Sequence, residues 1–274
     1  MGSTVELPLW FVVLAGILAA AGLFDRLLNP AFQWYLRSRA NRAIDELNSR
    51  LRLKIRPFKM TTRQVLIDRL ANDPQVVSAA EAHARETGMP VAAALADADR
   101  YAREIVPAFS AYTYFTIGAR LARWVSTSLY RVRLAFTDRG LLEKLDTDAT
   151  VVFVMNHRSN MDYILVTYMA STATALSYAV GEWARIPVLQ MLIRSMGAYF
   201  IRRSSRSGLY RKVLARYVQM ATQAGVTQAM FPEGGLSRDG KLRPVKLGLI
   251  SYMVEGFDPA ERDVLFIPVG LNYD

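Results

Sequence analysis

The stretch VVFVMNHRSNMD, residues 151–162, decides the fold because it joins a short apolar strand to the start of a helix. Residues 151–155 are β-branched, aromatic or otherwise apolar, which is typical of a strand buried on both faces. Polar residues follow, and an apolar helical pattern begins near residue 161. A strand that leads into a helix in this way indicates a layered α/β domain.

Towards the carboxyl terminus the same alternation continues. Further strands are predicted at residues 175–180, 198–201, 226–231 and 264–271, and helices at residues 161–172, 188–196 and 208–224. We therefore predict an α/β domain over residues 146–274, with a central mixed β-sheet flanked by helices.

Towards the amino terminus the pattern is helical, and residues 29–145 are predicted to form a separate helical region. Asp73 and Pro74 are the expected N-cap and first residue of one helix, and residues 88–90 mark a break. Residues 109–136 mix aromatic side chains with arginines, which suits a helix at the level of lipid headgroups. An ordinary amphipathic helix with its aromatics in the core fits this pattern equally well.

Residues 7–24 contain no charged side chain, and we predict that residues 1–28 form a membrane anchor. The stretch is short for a spanning helix, so a helix that lies in the interface is the alternative. A signal peptide is disfavoured because no Lys or Arg precedes the stretch. Basic residues follow it, and the positive-inside rule then predicts that the body of the protein lies on the cytoplasmic side of its membrane. We expect that membrane to be a bacterial inner membrane.

Composition narrows the function classes. The chain has a net charge of +10, which favours anionic partners, and anionic membrane lipid is the one that we expect. No nucleic-acid partner is expected, because the basic residues form no recognisable binding module. The chain contains no cysteine, and neither of its two histidines has the spacing of a helical metal site, so we expect no metal and no thiolate chemistry.

His157 follows the first predicted strand, and Asp162 lies in the first turn of the next helix. Ligands gather at the carboxyl ends of strands in α/β domains, so His157 is placed for chemistry. Asp162 can hold one ring nitrogen while the other faces a substrate, which is the arrangement of a general base. The alternative is that Asp162 serves only the helix dipole.

Four segments extend this site into a family resemblance. They are Asn156–Asp162, Gly197–Arg203, Phe231–Arg238 and Phe266–Val269. In order and spacing they resemble the four blocks of the glycerolipid acyltransferases, whose first block is a His-x4-Asp motif. Details of the first two blocks, and the Asn272–Asp274 ending, look most like the branch that acylates glycerol 3-phosphate or dihydroxyacetone phosphate.

The resemblance implies a layered acyltransferase domain that moves a fatty acyl group from acyl-CoA or acyl-carrier protein to the sn-1 hydroxyl of glycerol 3-phosphate. The acyl donor is a co-substrate, and no cofactor is implied. Lysophosphatidate and dihydroxyacetone phosphate are the alternative acceptors. The family normally continues beyond the equivalent of Asp274, so the resemblance also implies a chain truncated at its carboxyl terminus.

Substrate-binding residues are expected in the first three blocks. Arg202 and Arg203 follow a strand and are predicted to clamp the acceptor phosphate. The resemblance implies that Arg158, Glu233, Gly234 and Arg238 also bind the substrate. The third block departs from the family pattern, since Gly235 and Leu236 replace a Thr-Arg pair, so one expected phosphate contact is missing.

Two other classes of protein remain open. In a serine hydrolase or thioesterase, Ser159 would be a nucleophile activated by His157. That geometry is unfavourable because only one residue separates the two and Ser159 begins a helix. A membrane adaptor without catalytic activity would bind anionic vesicles and consume no thioester.

Overall fold

The computed structural model describes residues 8, 10, 44–133, 146–181, 187–202, 207–237 and 239–273. The chain divides into two compact units, Met1–Arg50 and Leu51–Asp274. In the first unit, residues 44–50 are helical, and the predicted anchor lies outside the described residues except for Pro8 and Trp10. Among the residues that are described, no helix combines the length and the apolar character needed to cross a bilayer.

The second unit begins with helices. Before the sheet they are α1 (Pro57–Met60), α2 (Arg63–Ala71), α3 (Pro74–Thr87), α4 (Val91–Ile105), a π-helical segment (Thr113–Gly118) and α5 (Ala119–Leu129). Asp73 caps α3 by accepting a hydrogen bond from the Gln75 N–H, and Pro74 is the first helical residue. Gly88 ends α3 with a φ of 70°, a left-handed conformation that glycine adopts without strain. Both predicted boundaries are confirmed.

The α/β layer follows the predicted alternation closely. Its elements are β1 (Thr150–Met155), α6 (Asp162–Ala170), β2 (Ser177–Val180), α7 (Pro187–Ser195), β3 (Tyr199–Phe200), α8 (Gly208–Gln223), β4 (Gln228–Met230), α9 (Gly248–Glu255) and β5 (Val264–Val269). The sequence reading missed only α9 among these elements. Its eight residues follow a run of exposed loop residues and carry no capping side chain that would announce a helix.

The five strands form one sheet in the order β3-β2-β4-β1-β5. Every pairing between these strands is parallel, so the predicted mixed sheet is wrong. The physical reason is the connectivity, because a helix lies between each strand and the next along the chain. A crossover helix returns the chain to the same edge of the sheet and makes the next strand parallel.

Two apolar cores cover the two faces of this sheet. One contains Val152 and Met230 with side chains of α2, α3, α4 and α8, and the other contains Met155 and Phe200 with Val166 of α6. A parallel sheet needs both faces covered, since its strands are apolar throughout. The first core joins helices before residue 146 to strands after it, so the compact unit runs across the boundary that the sequence predicted at 145/146.

Candidate active site

The carboxyl ends of β1, β4 and β5 lie side by side, because β1 stands between the other two strands. Asn156, the first residue after β1, connects two of these ends. Its side-chain amide donates to the Leu271 carbonyl at 2.8 Å, and its oxygen accepts from the Leu271 N–H at 2.6 Å. The loop that carries His157 is thereby fixed to the chain beyond β5.

His157 and Asp162 form a buried pair, with 2.8 Å between Nδ1 and Oδ2. Their side chains are 2% and 0% exposed. The same Oδ2 accepts the backbone N–H groups of Arg158 at 2.7 Å and Ser159 at 2.9 Å. Asp162 is also the first residue of α6, so the carboxylate lies where the helix dipole favours negative charge. Both the catalytic and the capping interpretation of Asp162 are thus realised in one side chain.

A tyrosine completes the surroundings of the carboxylate. The Tyr273 hydroxyl donates to Oδ1 of Asp162 at 2.5 Å. Burial alone would raise the pKa of Asp162, but the hydrogen bonds from His157, Ser159, Tyr273 and Arg158 outweigh it and lower that pKa. Burial and the bond to Asp162 raise the pKa of the Tyr273 phenol, so the phenol stays protonated and donates.

Aromatic side chains hold the imidazole plane. Phe231 stacks on the His157 ring with 4.2 Å between centroids, and Tyr163 meets it edge-on at 5.3 Å. With Nδ1 bound to a carboxylate, the ring is fixed as the tautomer that leaves Nε2 as the acceptor nitrogen. The arrangement provides an oriented general base in surroundings of low polarity.

The loop after β4 is attached to the loop that carries His157. Glu233, 4% exposed, accepts the His157 N–H through Oε1 at 3.2 Å and the Arg243 N–H through Oε2 at 3.1 Å. The Ser237 N–H donates to the His157 carbonyl at 2.9 Å. Gly234 turns the chain with a φ of 62°. Glu233 therefore acts in this structure as a bridge between backbone amides.

Two guanidinium groups are held at this loop. Arg158 donates from Nη1 to the Ser237 hydroxyl at 3.3 Å, and Arg243 donates from Nη1 to the Leu236 carbonyl at 3.1 Å. Ser237 in turn donates to the Lys241 carbonyl at 2.6 Å. These contacts keep Arg158 and Arg243 close to the segment that contains Glu233 and Gly234.

Arg202 has a different partner. Its guanidinium bonds Glu104 of α4, with Nε–Oε1 at 2.9 Å and Nη2–Oε2 at 2.5 Å, and it lies 5.4 Å from the ring centroids of Tyr101 and Tyr210. Among the described residues, Arg202 and His157 form no direct hydrogen bond or ion pair with each other. Arg203 and Arg238, the other predicted phosphate ligands, lie outside the described residues.

Sequence reasoning missed several residues that organise the site. Three of them lie inside or beside the four blocks, but no local sequence pattern predicted a function for them: Asn156, Ser237 and Tyr273. Their partners are distant in sequence, at separations of 115, 80 and 111 residues. Only the order of strands in the sheet brings them together. Within the described residues, no group of three or more His, Asp or Glu side chains could hold a metal ion.

Comparison with known proteins places this geometry in a family. The family model described as Acyltransferase matches residues 135–272. A glycerol-3-phosphate acyltransferase of Xylella fastidiosa strain M23 is 31% identical over 219 residues, covering 78% of this chain and 25% of that protein. A glycerol-3-phosphate acyltransferase of Aeromonas hydrophila is 30% identical over 237 residues, covering 82% of this chain and 28% of that protein.

A solved structure, the 1-acyl-sn-glycerophosphate acyltransferase PlsC from Thermotoga maritima, aligns with a TM-score of 0.38 and 22% identity over 59% of this chain and 56% of that one. The chain spans about a quarter of the length of the curated relatives it matches. The matched family model covers half of the chain and encloses β1, the buried His157–Asp162 pair and the loops that surround it. The chain belongs to the acyltransferase family.

Proposed function

We propose that this chain is a glycerol-3-phosphate O-acyltransferase that transfers a fatty acyl group from acyl-CoA or acyl-carrier protein to the sn-1 hydroxyl and yields lysophosphatidate. One observation carries the proposal: a buried histidine is paired at 2.8 Å with a carboxylate, at the carboxyl end of the central strand. Such a pair removes a proton from a hydroxyl group, as acyl transfer to an alcohol requires. Relatives named glycerol-3-phosphate acyltransferase support the choice of acceptor.

In the proposed reaction, Nε2 of His157 takes the proton of the acceptor hydroxyl while that oxygen attacks the thioester carbonyl. The tetrahedral intermediate then collapses, the carbon–sulfur bond breaks, and the imidazolium returns the proton to the leaving thiolate. Asp162 keeps the ring oriented and stabilises the imidazolium. Because four hydrogen bonds fix the Asp162 carboxylate, little reorganisation is needed during proton transfer.

We propose that the acceptor phosphate binds at the loop after β4. Arg158 and Arg243 contact this loop, and a guanidinium binds phosphate in a bidentate manner. The Lys246 side chain packs where a Cβ of residue 234 would lie, and Gly234, Arg203 and Arg238 remain candidates from the sequence. Glu233 supports this site by holding the backbone amides of His157 and Arg243 rather than by contacting an anion, since two carboxylate oxygens would repel phosphate.

Lysophosphatidate and dihydroxyacetone phosphate remain the alternative acceptors. A serine hydrolase is disfavoured by the position of Ser159, whose Oγ accepts a hydrogen bond from the Met161 N–H at 3.1 Å. That contact directs the hydroxyl to the start of α6. We further propose that the enzyme works at a membrane containing anionic lipid, on the cytoplasmic side, as the sequence predicts.

The test is a matrix of radiolabelled glycerol 3-phosphate, dihydroxyacetone phosphate and lysophosphatidate, each offered with palmitoyl-CoA to the wild type and to His157→Ala. We expect transfer to glycerol 3-phosphate and a loss of about 10²- to 10⁴-fold in the variant, with native melting preserved. His83→Ala, which changes the other histidine, is the matched control. A folded His157→Ala protein with near-normal transfer, or free fatty acid released without an acceptor, would refute the proposal.

A further inference from the structure

The π-helical segment and α5 present two different faces. Ala111, Tyr114, Gly118, Ala122 and Ser126 are buried and follow the helix at intervals of three or four residues. In α5 this inward face packs against α6, the helix that begins with Asp162, while the π-helical segment contacts α7. The helix is therefore firmly seated on the domain, and its other face is free to meet a partner.

That outward face is apolar where solvent would be expected. Tyr112 is 71% exposed, Ile117 48%, Leu121 44% and Trp124 66%. Ile117, Leu121 and Trp124 are spaced four and three apart, which aligns them along the helix. Exposed apolar residues that occur singly are ordinary, but an aligned stripe that includes Trp124, with the exposed Tyr112 about one turn before the stripe, indicates an interaction surface.

Positive charge borders the stripe. Arg120, Arg123, Arg131 and Arg133 are exposed, and residues 105–137 contain no acidic residue. No ion pair is recorded between these four arginines and any carboxylate in the described parts of the chain. At 100° per residue, Arg120 and Arg123 lie on one flank of the stripe. The face thus combines an apolar ridge with unneutralised cations beside it.

We infer that this face, Tyr112 to Arg133, docks on the surface of a bilayer that contains anionic lipid. Tyr and Trp suit the headgroup level because one end of each ring is apolar and the other is polar, while the arginines lie among anionic headgroups. A second copy of the chain fits less well, because a symmetric contact would place the same arginines against each other. The inference rests on the proposed work at a membrane and names the surface that makes the contact, but vesicle docking is measured without acyl transfer, so the two proposals can fail separately.

Because α5 packs on the domain beside the site, docking of its outer face would bring the site close to the bilayer. Since the opposite face of α5 packs on α6, the bilayer surface would lie on the side of the domain that carries α6. Tyr130, at the end of α5, also contacts Tyr273 with 5.3 Å between ring centroids, and Tyr273 bonds Asp162. A lipid-soluble product released from the site would then have a short path to the membrane.

The test uses the absence of cysteine in the chain. Ser128→Cys places a single thiol on the exposed side of α5, one helical turn from Trp124, and Val65→Cys places one on the exposed side of α2 as the control. Each full-length protein is labelled with an environment-sensitive fluorophore and mixed with phosphatidylglycerol–phosphatidylcholine vesicles whose acyl chains carry bromine. We expect quenching and a blue shift at position 128 and neither at position 65.

Charge and apolar contributions are separated in the Ser128→Cys background. Arg120→Gln with Arg123→Gln should weaken vesicle partitioning about 25-fold, at about fivefold per arginine, and high salt should also weaken it. Trp124→Ser should weaken it about tenfold. The matched control, Arg69→Gln with Arg85→Gln, removes two exposed arginines from α2 and α3 and should have a smaller effect, no more than about threefold, due to net charge alone.

The fluorescence of the label at position 128 also distinguishes the results that would contradict the inference. No vesicle binding, or binding in which position 128 is not quenched, overturns the inference, because another part of the chain would then make the contact. A concentration-dependent shift without vesicles overturns it in favour of a second copy. Equal effects of the two arginine pairs would show attraction by net charge without a docking face, and would overturn it as well.

Discussion

Two pairs of ionisable side chains lie at the carboxyl ends of two strands of the same sheet, and they differ in almost every respect. His157–Asp162 follows β1 and is buried, with side chains 2% and 0% exposed. In the second pair Arg202 follows β3 and bonds Glu104 of α4, and the side chains are partly open, 34% and 16% exposed. The sequence placed His157, Asp162 and Arg202 in one pocket, because these residues follow the carboxyl ends of strands. In the structure the two pairs take their acids from different helices, Asp162 from α6 and Glu104 from α4.

The sheet order explains the difference. β1 is flanked by β4 and β5, so three loops converge on His157, whereas β3 is the edge strand beside β2. Three strand spacings of about 4.8 Å put the ends of β1 and β3 roughly 14 Å apart. A carboxyl end therefore predicts the correct edge of the sheet but not the position along it. Arg202 instead meets Glu104 of α4, the helix that packs beside β3.

The largest contrast is expected between Asp162→Asn and Glu104→Gln, which each neutralise the acid of one pair. An asparagine at position 162 cannot accept all of the present bonds, and its NH2 opposes the donors from the backbone and His157. We expect kcat to fall about a thousandfold or more for Asp162→Asn and less than threefold for Glu104→Gln. Steady-state acyl transfer measures this, with thermal melting to confirm folding. Similar losses in the two variants would remove the functional distinction between the pairs.

The next largest effect is on stability, and it tests whether Glu233 attaches the loop after β4 to the loop that carries His157. Glu233→Gln replaces a buried acceptor of two backbone N–H groups by an amide that can accept through only one oxygen. We expect the free energy of unfolding to fall by about 2 kcal/mol, from urea titrations. Glu261→Gln, at an exposed position, is the matched control and should change it by less than about 0.5 kcal/mol. A negligible effect at position 233 would mean that the loop is held by other contacts.

Many elements of the fold, and the His157–Asp162 pair, could be predicted from local sequence, whereas the contacts that depend on strand order could not. Apolar runs and capping signals located β1, α3 and α8 because those signals are determined within a few residues. The His157–Asp162 contact spans five residues and was predictable for the same reason. Strand order is set by packing over long separations. Parallel pairing, the Asn156–Leu271 bonds and the partner of Arg202 therefore stayed beyond the sequence reading.

A smaller effect distinguishes the two interpretations of Arg202. If its main partner is Glu104, a double-mutant cycle of Arg202→Gln and Glu104→Gln should give a coupling of about 1 kcal/mol in unfolding free energy. The KM for glycerol 3-phosphate should then change less than twofold in both variants. The sequence-based hypothesis predicts instead that Arg202→Gln raises this KM more than the KM of the acyl donor. Arg158→Gln, beside the loop after β4, is expected to show that selective rise.

The smallest effect concerns the outer hydrogen bond of the first pair. Tyr273→Phe removes the donor to Oδ1 of Asp162 and leaves the His157 contact in place. Because that bond lowers the Asp162 pKa, its loss should raise this pKa towards the ordinary value of about 3.9 and reduce kcat severalfold. A depressed carboxyl pKa stabilises the fold above the ordinary value, and the contribution is lost as pH falls through the folded value. The stability difference between wild type and variant, about 1 kcal/mol at neutral pH, should therefore shrink below a pH of about 4.

Urea titrations across this pH range measure the difference, and Tyr112→Phe, which changes a tyrosine that is 71% exposed, should show no such pH dependence. A difference that persists unchanged at low pH would mean that Tyr273 contributes by packing against Tyr130 rather than through the carboxylate.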